Sequence, residues 1–168
     1  MRLPLALLLA LAGPLAAVTV EPNNLDRKVV LDFPEITKFQ GQYDPKVGFM
    51  YRATHEGRMT VSIYVEPARE GVDDHAGVRA HYWPKAARNP EIDQETVGIL
   101  PGDDRSVVRY VSKHRVDGEN VWLHHFNVYA FVDGRMVDVH VSETTAVDAE
   151  PERLAAIIPT VAFVAPAP

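Results

Sequence analysis

The chain has 168 residues, 17 Lys and Arg against 23 Asp and Glu, a net charge of −6 and no cysteine. That length suits a single domain whose core stands without staples. The missing cysteine excludes a disulfide framework, a thiol nucleophile, a lipid-modified N-terminal cysteine and any Cys-ligated zinc site, and no window gathers the basic cluster that nucleic acid or an anionic membrane needs.

Met1 to Ala17 opens with one Arg, runs through Leu and Ala over a stretch too short to span a bilayer, and ends in Gly13-Pro14 and small residues. This is the make-up of a secretory leader, with the cut expected after Ala17. The leader removes one Arg and no acid, so the expected exported chain carries −7 and no integral membrane segment. Export without disulfides, and without an Asn-x-Ser/Thr acceptor, fits a bacterial periplasm.

Residues 18–27 read as a flexible segment, 28–164 as one domain and 165–168 as a disordered tail. Lys28 to Phe33 reads as a short strand closed by Pro34. Val47 to Thr54 and Met59 to Val65 alternate with period two around His55-Glu56-Gly57. A three-residue loop there sets Ala53, Tyr51, Phe49 and Val47 against Met59, Val61, Ile63 and Val65 on one dry face. Arg52, Thr60, Met50, Ser62 and Tyr64 take the reverse.

A helix is expected from Asp73 or Asp74 to about Ala87, bent or ended near Pro84 and stopped by Asn89-Pro90. Gly98 to Asp104 reads as a loop. Val107 to Val116, Val121 to Val132 and Met136 to Thr144 read as strands, joined at Asp117-Gly118 and at Asp133-Gly134, the strongest hairpin signal in the chain. Asp148 is placed to cap a second helix, with Pro151 in its first turn, Leu154, Ala155, Ile157 and Ile158 turned inward, and Pro159 at its end. Val161 to Val164 then docks. The order β-β-β-α-β-β-β-α predicts an α+β domain, an antiparallel sheet of five to six strands packed by two helices.

The segment Gly41 to Arg52, with Val61-Ser62-Ile63-Tyr64-Val65 after it, resembles a recurring group of uncharacterised exported bacterial proteins with a Gly-Tyr-x-x-Arg-Tyr strand and a Val-Tyr-Val-Tyr strand. The whole layout over residues 28 to 164 is similar to the PsbP-like and DcrB-like superfamily of α-β-α sandwiches. The resemblance implies a non-catalytic assembly or envelope-associated factor and supplies no site residues. Pro84 and Pro159 depart from its helix pattern.

A two-residue turn at Asp133-Gly134 sets Val132 opposite Arg135 and fixes the last hairpin. Ala130, Val128 and Phe126 then face Val137, Val139 and Val141. On the other side Tyr129 faces Asp138, Asn127 faces His140 and His125 faces Ser142, a group able to bind a small polar ligand. Arg109 joins it if its strand places it beside Asn127. The plainer alternative is the solvated face of an antiparallel sheet. His124 and His125 point to opposite faces and cannot share an ion, and no His-Glu-x-x-His or helical His pair occurs, so no metal is expected. Neither a Gly-x-Ser-x-Gly elbow, a Ser-x-x-Lys nor a phosphate loop is present, and the acid pairs Asp73-Asp74 and Asp103-Asp104 suit a cap and a turn.

Met50, Tyr64 and Trp83 are candidates for partner contact, against the alternative of packing beneath a helix. The sequence therefore reads as a periplasmic, envelope-associated protein that binds a protein or a small polar ligand, without cofactor or catalysis. The alternative is a small-molecule hydrolase built on the polar sheet face.

Overall fold

The computed structural model describes residues 17–22, 24–33, 40–44, 48–149 and 151–165. The expected leader, apart from Ala17, and the expected tail, apart from Ala165, lie outside the described residues. Among the described residues ten strands and two short α-helices follow in order: β1 (Val18–Val20), β2 (Lys28–Leu31), β3 (Gln40–Asp44), β4 (Gly48–His55), β5 (Met59–Pro67), α1 (His75–Ala86), β6 (Ile92–Pro101), β7 (Ser106–Val116), β8 (Glu119–Val132), β9 (Arg135–Thr145), α2 (Glu152–Ile157) and β10 (Ala162–Val164). Seven strands form a sheet in the order β3-β4-β5-β9-β8-β7-β6, and β1-β2-β10 form a second, three-stranded sheet. All pairings are antiparallel.

This mostly-β arrangement overturns the expected α+β domain with a sheet of five to six strands packed by two helices. The strands absent from that expectation are edges or very short pieces. β3 and β6 close the two sides of the large sheet, so their side chains are not held to strict alternation. Their sequences, QGQYD and IDQETVGILP, read as turns and loops. β1 and β10 have three residues each, and β1 occupies the stretch that reads as flexible. The second helix starts after Pro151, not at Asp148, and its six residues bury Leu154 and Ile157 while Ala155 stays exposed. α1 keeps close to its expected span: Asp74 Oδ1 accepts the Gly77 N–H at 2.6 Å, and the helix runs through Pro84.

Three turns set the register. Glu56-Gly57, Asp117-Gly118 and Asp133-Gly134 each place two successive residues at positive φ; the last two are two-residue hairpins whose twist this pattern matches, and the first sits in the three-residue loop Glu56-Gly57-Arg58. At the first, His55 pairs with Met59, which puts Ala53 opposite Val61 instead of Met59. The shift is by two residues, so the dry and wet faces are kept.

The dry face of the large sheet, with Val61, Ile63, Phe126, Val128, Val139 and Val141, packs on Val29 and Leu31 of β2, Phe33 just after it, Leu154 of α2 and Val161 just before β10. The reverse face carries α1, where Val78 is buried with Val108, Tyr110, Tyr129 and Met136. Neighbours in the large sheet are consecutive in the chain except along one seam, where β5 pairs with β9 from Met59↔Glu143 to Pro67↔Arg135.

Gly48, at φ +79°, starts β4 where an added Cβ would stand 2.5 Å from the Val65 carbonyl oxygen. Gly48→Ala is expected to cost about 2 kcal/mol or more from the left-handed backbone and the clash together. A urea midpoint unchanged from wild type would contradict that placement.

Candidate functional site

Five of the six predicted ligand residues share the face that carries α1. Tyr129 pairs with Asp138, Asn127 with His140 and His125 with Ser142. Arg109 does not join them: Val108 stands opposite Asn127, and Arg109 pairs with Phe126 on the other side of the sheet. The Asp117-Gly118 turn sets Val116 opposite Glu119, and counting back from there decides which face Arg109 takes.

α1 divides the shared face. Tyr129 is 1 % exposed and stacks on Tyr82 with ring centroids 6.0 Å apart, and the Tyr82 hydroxyl donates to Glu66 Oε1 at 2.7 Å. Burial raises both phenols above their ordinary range. Beside them the Asn127 amide donates from Nδ2 to both Asp138 oxygens, at 2.8 and 3.1 Å. Burial pushes the Asp138 carboxyl up to about 7, while the donation from Asn127 works the other way. Tyr129 and Asp138 are thus held inside the protein, and Asn127, bonded through Nδ2, keeps its Oδ1 buried without a partner among the described residues.

Beyond α1, Tyr110, His125 and His140 form a column of near-parallel rings, with centroids 4.6 and 5.2 Å apart. A line of short contacts runs through it. Ser112 Oγ lies 2.9 Å from His114 Nε2 and 2.8 Å from His125 Nε2, and His125 Nδ1 lies 3.0 Å from His140 Nε2. Burial, reinforced by the neighbouring imidazoles, lowers His125 to about 3; burial and then Arg52 lower His140 to about 4.

The order Ser112, His125, His140 is that of a nucleophile, a base and an orienting group. The environment works against that use. Ser112 is 2 % exposed, and an imidazole held near 3 is a weak base at neutral pH. Among the described residues no group of three or more His, Asp or Glu is arranged to hold a metal ion.

A cavity of about 320 Å³ opens beside β6, where the register with β7 skips between Asp93 and Gly98. Thr96 bridges the gap: its hydroxyl donates to the Asp93 carbonyl and accepts the Val111 N–H at 2.9 Å. Glu95, Thr96, Arg109, His124, Phe126 and Asp148 contribute to the lining, and His125 and Tyr110 also reach it. His124 is 3 % exposed and its Nε2 has no partner among the described residues. An unpaired buried polar atom costs roughly 1–3 kcal/mol and marks a place for explanation. His124 faces Glu143 across the hairpin, and Glu143 Oε2 and Trp122 Nε1 are likewise buried without partners among the described residues.

Of the predicted partner contacts, Trp83 packs inward on Tyr110, with centroids 5.2 Å apart, and Met50 and Tyr64 pair across β4 and β5, both half-buried. Sequence reasoning missed Ser112, His114, Glu95 and Asp148. For Ser112 the signal existed, because the Asp117-Gly118 turn places it one diagonal from His125. For Glu95 and Asp148 it did not, since both lie outside regular pairing.

No family model and no curated protein sequence matches the chain, so nothing places it in the PsbP-like and DcrB-like superfamily. Among solved structures the chain is similar to LpqN, described as involved in cell envelope biogenesis of Mycobacterium tuberculosis, at 9% identity and a TM-score of 0.42, over 86% of this chain and 84% of that one. Among the described residues no helix is long and apolar enough to cross a membrane.

Proposed function

We propose that this is an exported, envelope-associated protein that works by binding and not by chemistry, and that its ligand is a small polar molecule held in the cavity beside β6. Export rests on the leader pattern of Met1 to Ala17. The observation that carries the binding reading is the 320 Å³ cavity lined by Arg109, Glu95, Asp148 and His124, a histidine whose Nε2 is buried without a partner among the described residues. Charges of both signs beside the Phe126 ring suit a molecule with donors and acceptors and one apolar side. A hydrolase reading draws on the order Ser112, His125, His140, and the burial of Ser112 weighs against it.

The test is protein-observed NMR of the chain starting at Val18 with a panel of sugars, amino acids and dicarboxylates. At least one class is expected to shift the amides of Glu95, Thr96, His124 and Asp148. Its affinity should fall about tenfold in Arg109→Gln or Asp148→Asn, the loss of one charge-assisted hydrogen bond. A panel that leaves those amides unmoved overturns the binding reading, and ester turnover abolished by Ser112→Ala overturns the non-catalytic one.

A further inference from the structure

The line of contacts from His114 to His140 has a property that follows from counting protons. A serine hydroxyl has one hydrogen, and Ser112 Oγ stands within 2.9 Å of two ring nitrogens, His114 Nε2 and His125 Nε2. With both contacts made, the hydroxyl donates to one ring and accepts from the other. A neutral imidazole is likewise donor at one nitrogen and acceptor at the other, and both nitrogens of His125 are engaged, by Ser112 and by His140 Nε2 at 3.0 Å. The chain of neutral groups therefore has two fully bonded states of opposite direction. In the outward state His140 Nε2–H donates to His125 Nδ1, His125 Nε2–H to Ser112 and Ser112 to His114 Nε2. In the inward state every one of these bonds is reversed.

The ends decide between them. Glu91 Oε1 lies 3.5 Å from His114 Nδ1 and favours the hydrogen there, which leaves Nε2 as acceptor and selects the outward state. When His114 takes up a second proton its Nε2–H must donate, and the direction turns inward. Burial keeps His125 and His140 neutral meanwhile. The other charged or titratable groups around the line are Arg52 on β4, Asp138 on β9, and Tyr110 and His124 beside His125.

We infer that His114, Ser112, His125 and His140 form a reversible hydrogen-bond relay, in which protonation of His114 at the sheet's end moves the hydrogen of His140 from Nε2 to Nδ1 and so changes what His140 presents beside Arg52. The protons balance with one taken up in all: Ser112 passes its hydrogen to His114 Nε2, His125 Nε2 passes its own to Ser112, His140 Nε2 passes its own to His125 Nδ1, and the hydrogen lost from His140 Nε2 is replaced by the one proton taken up from solvent, at Nδ1. The inference goes beyond the proposed ligand cavity and does not need it occupied.

Long-range proton–nitrogen NMR of histidine-labelled protein tests it, with pH lowered from about 8 to about 5. Titration of His114 is expected to coincide with exchange of the His140 N–H from Nε2 to Nδ1. Ser112→Ala should break the coincidence, leaving His140 in one tautomer while His114 titrates. His114→Phe, at a position partly open to solvent, should make His140 independent of pH over the same range. A His140 tautomer that does not move in wild type, or that still follows His114 in Ser112→Ala, overturns the relay.

Discussion

Tyr129→Ala is expected to destabilise the fold by about 3–5 kcal/mol, the range for removing a fully buried aromatic ring. Tyr129 is 1 % exposed, stacked on Tyr82 and surrounded by Val78, Val108 and Met136, so it is the main surface on which α1 rests. α1 has only Val78 fully buried among its own residues and cannot replace that contact. Truncation should therefore loosen the helix as well as lower the urea midpoint, and the fluorescence of Trp83, seated on Tyr110, reports the loosening. A loss below about 1 kcal/mol would mean that α1 docks through other contacts.

The buried polar face makes stability depend on pH in two opposed ways. His125 and His140 sit near 3 and 4 in the fold against 6.5 outside it, so the unfolded chain binds more protons between those values. Their contribution is fully present above about pH 6.5 and is lost on acidification through about 4 and 3. Asp138 runs the other way, because its carboxyl holds a proton up to about 7 in the fold against 3.8 outside it. Its contribution falls as pH rises from about 4 to about 7.

Two histidines against one acid leave a net of one proton between about pH 4 and pH 6.5, a rise of at most about 1.4 kcal/mol per pH unit. Asp138→Asn removes the opposing group. The slope should then nearly double, and stability at pH 8 should increase by about 2 kcal/mol, since no buried carboxylate has to ionise there. Urea midpoints measured from pH 4 to 8 check both statements. A variant less stable than wild type at pH 8 would show that the ionised Asp138 is favourably held by Asn127.

The turn at Asp133-Gly134 was readable to the residue, whereas at Glu56-Gly57, also at positive φ, the expected register was off by two. Asp133-Gly134 fixed which side chains of β8 and β9 meet, and those pairs are found. The same logic applied to Asp117-Gly118 would have placed Arg109 with Phe126 and brought Ser112 near His125. Elements whose neighbours lie on one side only were not readable, because polar residues and Gly cost little there; β3 and β6 are of this kind. The cavity beside β6 was hidden for a related reason. It exists because four residues of one strand leave their partner, and the side chain that bridges the gap, Thr96, looks like any other Thr in a sequence.

The seam between β5 and β9 has a consequence for how the chain reaches its native state. On either side of it, contacts are between neighbours in sequence and close quickly, whereas the seam joins residues 59–67 to 135–143 and must wait for both halves. Until it closes, Val61-Ser62-Ile63-Tyr64-Val65 and Val137-Asp138-Val139-His140-Val141 each offer an unpaired, β-branched edge. Within the large sheet the slowest pairing and the greatest aggregation hazard thus fall on the same strand pair.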